Sequence, residues 1–83
     1  DEDSAPVPAK LLLALHNLCA VRPEIAKTVE ELSEVIRITV DKALTVLHGF
    51  EVEGYVKSVI DVQGKRRFYL TGTGILKVCS SFT

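Results

Sequence analysis

Apolar residues recur at helical spacing through the centre of the chain. From Glu31 to Val56 the sequence ELSEVIRITVDKALTVLHGFEVEGYV reads without a gap as a helix, a tight turn, a second helix and the entry to a strand. Leu32, Val35 and Ile36 share one face of the first of these helices, Glu30, Glu31 and Glu34 face water, and Ile38 carries the apolar face into the turn. Thr28 followed by Glu31 has the form of a capping box, which starts this helix near Val29. The next helix opens around Thr39 to Asp41, either of which can cap it, and runs to about Glu53. Its Ala43, Val46, Leu47 and Phe50 fall inward, leaving Val40, Lys42, Leu44, Thr45, His48 and Val52 outward. Gly49 inside it costs about 1 kcal/mol relative to Ala, a hint of a bend or a close backbone approach. Gly54 then lets the chain leave the helix.

The flanks carry their own patterns. Ala9 to Ala20 reads as a helix with Leu11, Leu15 and Leu18 on one stripe and Leu12 and Cys19 beside it. Apolar on more than one face, it calls for contact with the final helix, a partner subunit or a further part of a parent protein. Pro23 ends the helical reading, and Arg22 to Lys27 forms a connection. Tyr55 to Val62 alternates as a strand, Gln63-Gly64 makes a hairpin turn, and Arg66 to Leu70 returns with Phe68 and Leu70 inward and Arg67 and Tyr69 on the other face. A short last helix, Thr73 to Phe82, puts Ile75, Val78, Cys79 and Phe82 on one side.

This order of pieces resembles the winged helix-turn-helix domains of archaeal and bacterial transcription regulators, the MarR and ArsR types among them. The resemblance runs from Pro8 to Phe82 and includes the wing and a segment of the form Leu-Thr-x-x-Gly, here Leu70, Thr71 and Gly74. It implies an α+β fold with a three-helix core, a two-stranded β-wing and a short C-terminal helix, and in MarR-like proteins the terminal helices make a homodimer. The chain departs from the pattern at Arg37, where such domains usually have Gly, so a different turn or a left-handed backbone is expected there.

Eighty-three residues, 47% hydrophobic and 25% charged, make one folded domain rather than a disordered chain. Folding at this size buries only about 60–65% of the unfolded chain's surface, so pairing with a partner is a natural source of extra stability. The net charge is −1, which lacks the basic excess of many nucleic-acid domains. Residues 1–8 form an acidic tail with Ser4, Pro6 and Pro8, and leaving out Asp1, Glu2 and Asp3 moves the balance from −1 to +2 for the domain over 9–83. The chain has no Met, as expected of a processed chain or a domain cut from a longer protein.

Catalysis is not implied: no nucleophile, base and orienting group come together, and no phosphate-cradling glycine loop follows a strand. Gly72 and Gly74 belong to the strand-to-helix turn. Cys19 and Cys79 read as small buried apolar residues in a reducing compartment, with a disulfide between the terminal helices as the alternative. His16 and Cys19 have i, i+3 spacing but no second ligand pair, so neither a metal nor a cofactor is expected. No apolar run is long enough to span a bilayer and the acidic N-terminus is unlike a signal peptide, which gives a cytoplasmic protein with no membrane partner.

The expected function is binding of double-stranded DNA in transcription regulation. Lys42, Thr45 and His48 on the third helix would meet base edges or phosphates in the major groove, while Lys65, Arg66 and Arg67 at the wing would neutralise phosphates. Thr39 and Thr28 add hydroxyl or helix-terminal contacts, and Arg37 in the turn approaches phosphate. Against this stand Asp41, whose charge repels phosphate, and the outward Val40, Leu44 and Val52, which suit a protein contact. The alternative is therefore a winged helix used as a protein–protein interaction module in a larger complex. A third reading, dimerisation with ligand or redox sensing at Cys19 or Cys79, has no effector specified by the sequence.

Overall fold

The computed structural model describes residues 6–82, the Phe82 side chain excepted, so the acidic residues expected to form the tail and the inward placing of Phe82 lie outside the described residues. Helix α1 spans Val7–Asn17, a 3₁₀ turn spans Pro23–Ile25, strand β1 spans Lys27–Thr28, α2 spans Val29–Ile36 and α3 spans Val40–Glu53. Strands β2 (Val56–Ile60) and β3 (Arg66–Leu70) form the wing, and α4 covers Gly72–Phe82. All of these pieces follow the expected order, with β1 added.

Helix α1 begins two residues earlier than expected and ends three earlier. Pro6 is its N-cap and a proline lies in its first turn, where a missing N–H costs nothing. Its C-terminus closes as a Schellman motif: the Cys19 amide donates to the His16 carbonyl at 3.0 Å and the Ala20 amide to the Leu15 carbonyl at 2.9 Å. Cys19 takes the left-handed position of that motif with φ 59°. It thus lies outside the helix and is exposed, as is Cys79 on the outer face of α4, so the expectation of two buried thiols fails. The helical spacing that paired His16 with Cys19 is lost with it.

Capping of α2 is as the sequence indicated. Thr28 Oγ1 accepts from the Glu31 amide at 3.2 Å, and Glu31 Oε1 accepts from the Thr28 amide at 2.8 Å. At the other end Arg37 adopts φ 60°, ψ 53°, and the Ile38 amide reaches back to the Ser33 carbonyl at 3.0 Å. The turn therefore keeps the left-handed geometry that glycine favours and an arginine strains. Leu32 is fully buried, but Val35, expected inward, is 53% exposed at the rim of a groove between α1 and α2.

Thr39 caps α3 by accepting from the Lys42 amide at 3.2 Å, and Gly54 ends it at φ 83° with the Tyr55 amide bonded to the Phe50 carbonyl at 2.9 Å. Gly49 makes no close approach, since an added Cβ would meet nothing within 4 Å. Gly74 is the glycine that packing requires: a Cβ there would fall on the Tyr55 carbonyl oxygen and within 2.9 Å of Leu70 Cδ2.

The sheet is antiparallel in the order β1-β3-β2. Lys27 pairs with Phe68 and Thr28 with Arg67, while β2 and β3 run in register from Val56 opposite Leu70 to Ile60 opposite Arg66. Leu11, Leu15, Leu32, Leu47 and Phe68 are wholly buried where α1, α2, α3 and the sheet meet. Val78 joins this core from α4, and the Leu70 amide donates to the Ala20 carbonyl at 2.7 Å, fixing the end of the wing to the turn after α1.

Candidate nucleic-acid interface

Helix α3 buries Ala43, Leu47 and Phe50 and leaves Asp41, Lys42, Thr45, His48 and Val52 exposed. At roughly 100° per residue, Lys42, Thr45 and His48 step round the helix by about 60° each. Thr45 therefore stands at the middle of the outward face, with His48 toward the Leu44 side and Lys42 at the opposite rim. Thr45 Oγ1 donates to the Asp41 carbonyl at 3.0 Å, which leaves its lone pairs to accept from a ligand. Thr39 Oγ1 is used as an acceptor for the cap, which leaves its hydroxyl proton to donate outward.

Leu44 does not form part of an open apolar surface. It is half-buried, packs against the core, and lines a small cleft of about 190 Å³ with Val29, Glu30, Lys65, Arg66 and Phe68. This cleft brings the wing cations Lys65 and Arg66, both exposed, beside α3 and the first turn of α2. Val40 and Val52 remain exposed, so the patch inferred for a protein contact is interrupted at its centre.

The wing tip is built on Asp61. The loop Val62-Gln63-Gly64 is a turn followed by a glycine at φ 82°, with the Gly64 amide donating to the Asp61 carbonyl at 3.0 Å and the Asp61 amide to the Lys65 carbonyl at 2.8 Å. Asp61 Oδ1 accepts from the amides of Gln63 and Lys65 at 2.8 and 2.9 Å, while Oδ2 accepts from Arg67 Nε at 2.8 Å. These bonds, that of Arg67 foremost, hold the Asp61 carboxyl below its ordinary range.

Arg67 is placed differently from Lys65 and Arg66. It points from β3 toward the body of the domain, where Nη1 donates to the Ala26 carbonyl at 3.3 Å and to Glu31 Oε1 at 3.5 Å. The pairing with Asp61 pushes the guanidinium's pKa further up. Glu31 is held below its ordinary range, chiefly by the Thr28 amide and also by Arg67. Thr28, by contrast with its expected role, is buried, and its hydroxyl both accepts from the Glu31 amide and donates to Glu31 Oε1 at 3.2 Å. Arg37 borders the groove of Lys10, Leu13, Ala14, Asn17 and Val35 rather than the cleft between the wing and α3.

Among the described residues, no three His, Cys, Asp or Glu side chains converge in a way that could hold a metal ion, and no helix is long and apolar enough to cross a membrane.

No protein-family model and no curated protein matches the sequence. Solved structures do match the fold. A candidate DNA-binding protein of Ralstonia eutropha JMP134 superposes with a TM-score of 0.80 at 15% identity, over 95% of this chain and 98% of that one. MepR, a transcription regulator of the Staphylococcus aureus multidrug efflux pump MepA, gives 0.75 at 16% identity over 95% of this chain and 56% of its own. The S. aureus MepR–DNA complex gives 0.76 at 18% identity, over 94% and 54%. The chain thus spans little more than half the length of MepR but nearly all of the Ralstonia protein. At these identities the likeness is one of fold, and the fold is an α+β winged helix, with four α-helices and a three-stranded antiparallel sheet among the described residues.

Proposed function

We propose that this domain binds double-stranded DNA in transcription regulation, with α3 in the major groove and the wing on the phosphate backbone. The observation that carries this reading is the cleft in which Lys65 and Arg66 stand beside α3, so that a rod-shaped polyanion lying along the Thr45–His48 face also meets the wing. Thr45 and His48 address base edges, Lys42 reaches a phosphate at the rim, Thr39 donates to the backbone, and Lys65 and Arg66 neutralise phosphates. Two of the similar structures are of proteins crystallised with DNA or described as regulators, which supports the same reading. Arg37 serves phosphate only if DNA extends past the α2–α3 turn. The protein-module alternative loses its central anchor because Leu44 is packed inward.

We further infer a homodimer through the terminal helices. Leu76, 71% exposed on α4, and the groove of Pro6, Ala9, Leu12, Phe50 and Tyr55 give that pairing apolar surface to cover. The protein works in the cytoplasm, where bacterial and archaeal DNA lies, and is not an enzyme.

The test is a duplex titration of the Lys65→Ala, Arg66→Ala variant. Affinity should fall for all sequences alike and the salt slope should flatten by up to about two units. An unchanged slope would remove the wing from the interface.

A further inference from the structure

We propose that Arg67 is a positioning residue, which locks the wing to the helix-turn-helix and so places Lys65 and Arg66 for phosphate, instead of contacting phosphate itself. The inference rests on the DNA-binding reading above and gives the basic run Lys65-Arg66-Arg67 two separate jobs.

The geometry forms one continuous chain of polar contacts. Asp61 binds the loop amides of Gln63 and Lys65 through Oδ1 and Arg67 through Oδ2. Arg67 crosses to the Ala26 carbonyl just before β1 and to Glu31. Glu31 in turn caps α2 through Thr28, whose backbone faces Arg67 across the β1–β3 pairing. A guanidinium suits this place because its fork donates in separate fixed directions, here to a carboxylate at one end and to a carbonyl and a second carboxylate at the other. The Asp61 and Arg67 side chains are 18% and 32% exposed, in contrast to the open Lys65 and Arg66. Strand β1 pairs only with Arg67 and Phe68, so the wing beyond them is a two-stranded hairpin, marginally ordered by itself in water, and such an anchor decides where its tip sits.

Asp61 makes the idea testable by sign. It is a negative charge next to the proposed phosphate path, so simple electrostatics has Asp61→Asn bind DNA equally well or more tightly. If Arg67 positions the wing, Asp61→Asn binds more weakly. Asn keeps the Oδ1 acceptor for Gln63 and Lys65 and loses the partner of Arg67 Nε, which separates the brace from the loop. Arg67→Lys supplies the second variant, since it keeps the charge that a phosphate contact needs and lacks the fork.

Native protein, Asp61→Asn, Arg67→Lys and the double variant Lys65→Ala, Arg66→Ala are titrated with a labelled mixed-sequence duplex across a salt series, with circular dichroism confirming that each folds. ¹⁵N relaxation of residues 61–66 in the free proteins reads the wing without DNA. The proposal expects Asp61→Asn and Arg67→Lys each to loosen the free wing, to weaken binding on the order of ten-fold near 0.1 M salt, and to flatten the slope by as much as losing Lys65 and Arg66 together. Near-native binding by Asp61→Asn and Arg67→Lys would overturn it. Absence of binding by the native domain would remove the DNA reading and with it the positioning role, while the relaxation data would still show whether the brace exists.

Discussion

Thr71 Oγ1 donates a 2.6 Å hydrogen bond to the carbonyl oxygen of Gly54, tying the start of α4 to the end of α3. The same oxygen accepts from the Gly74 amide at 3.0 Å as the cap of α4, and the Thr71 amide donates to the Tyr55 carbonyl at 2.9 Å. One side chain thus satisfies a helix start and an orphaned helix-end carbonyl together. Thr71→Val, which keeps the shape and loses both bonds, should lower stability by about 1–2 kcal/mol. Urea unfolding followed by circular dichroism measures it.

Gly74 stands in the same junction for a steric reason. With the Tyr55 carbonyl where a Cβ would go, Gly74→Ala must push α4 away from the α3–β2 corner. A loss of about 2 kcal/mol or more is expected, seen as a midpoint lower by roughly 10 °C in a thermal melt. Gly49→Ala is the control: it adds a methyl group to open space inside a helix and should stabilise by about 1 kcal/mol.

The opposite sign is expected at the α2–α3 turn. Arg37 holds a left-handed backbone without being a glycine, so Arg37→Gly should raise stability by about 0.5–1 kcal/mol, once the extra freedom of the unfolded chain is set against the relieved strain. If Arg37 also approaches phosphate, that variant gains stability while losing some DNA affinity, and the two effects separate in a melt and a titration.

Acid should loosen the wing first. Asp61 and Glu31 both have carboxyl groups held below their ordinary range in the folded state. A depressed folded value contributes stability that is present above the ordinary carboxylate range and is lost as pH falls through the folded value, that is, below about pH 4. Loop amide signals of Gln63 and Lys65, followed by NMR on acidification, should therefore broaden or shift before those of the α1–α3 core. Asp61→Asn should make the loop's behaviour nearly independent of pH in that window.

The helix-turn-helix was legible because its signals are local. Thr28 with Glu31, Thr39 before α3 and Gly54 after it each fix a helix end through partners within a few residues, and the structure keeps all of them. Leu70, Thr71 and Gly74 were legible as a pattern, although the reason for it, the contact with Gly54 and Tyr55, is tertiary. What the sequence hid depends on distant partners. Strand β1 is two residues whose pairing partners, Arg67 and Phe68, lie some forty residues on, and no periodicity marks so short a run. Val35 and Leu44 exchanged their expected environments because groove edges, not helix periodicity, set their burial. At the candidate site, charge and helical spacing single out Thr45, His48, Lys65 and Arg66, which are exposed, whereas Arg67 is like its neighbours in sequence and is set apart only by its contacts with Asp61, Ala26 and Glu31.

The most direct test of DNA binding by this winged helix is the titration of labelled mixed-sequence duplex DNA into the native protein, by fluorescence anisotropy at low and at near-physiological salt. Binding that weakens steeply as salt rises is expected, because cations on the wing and on α3 release counterions from the phosphates they meet. Absence of binding even at low salt, or binding indifferent to salt, would contradict a phosphate-contacting role for this surface.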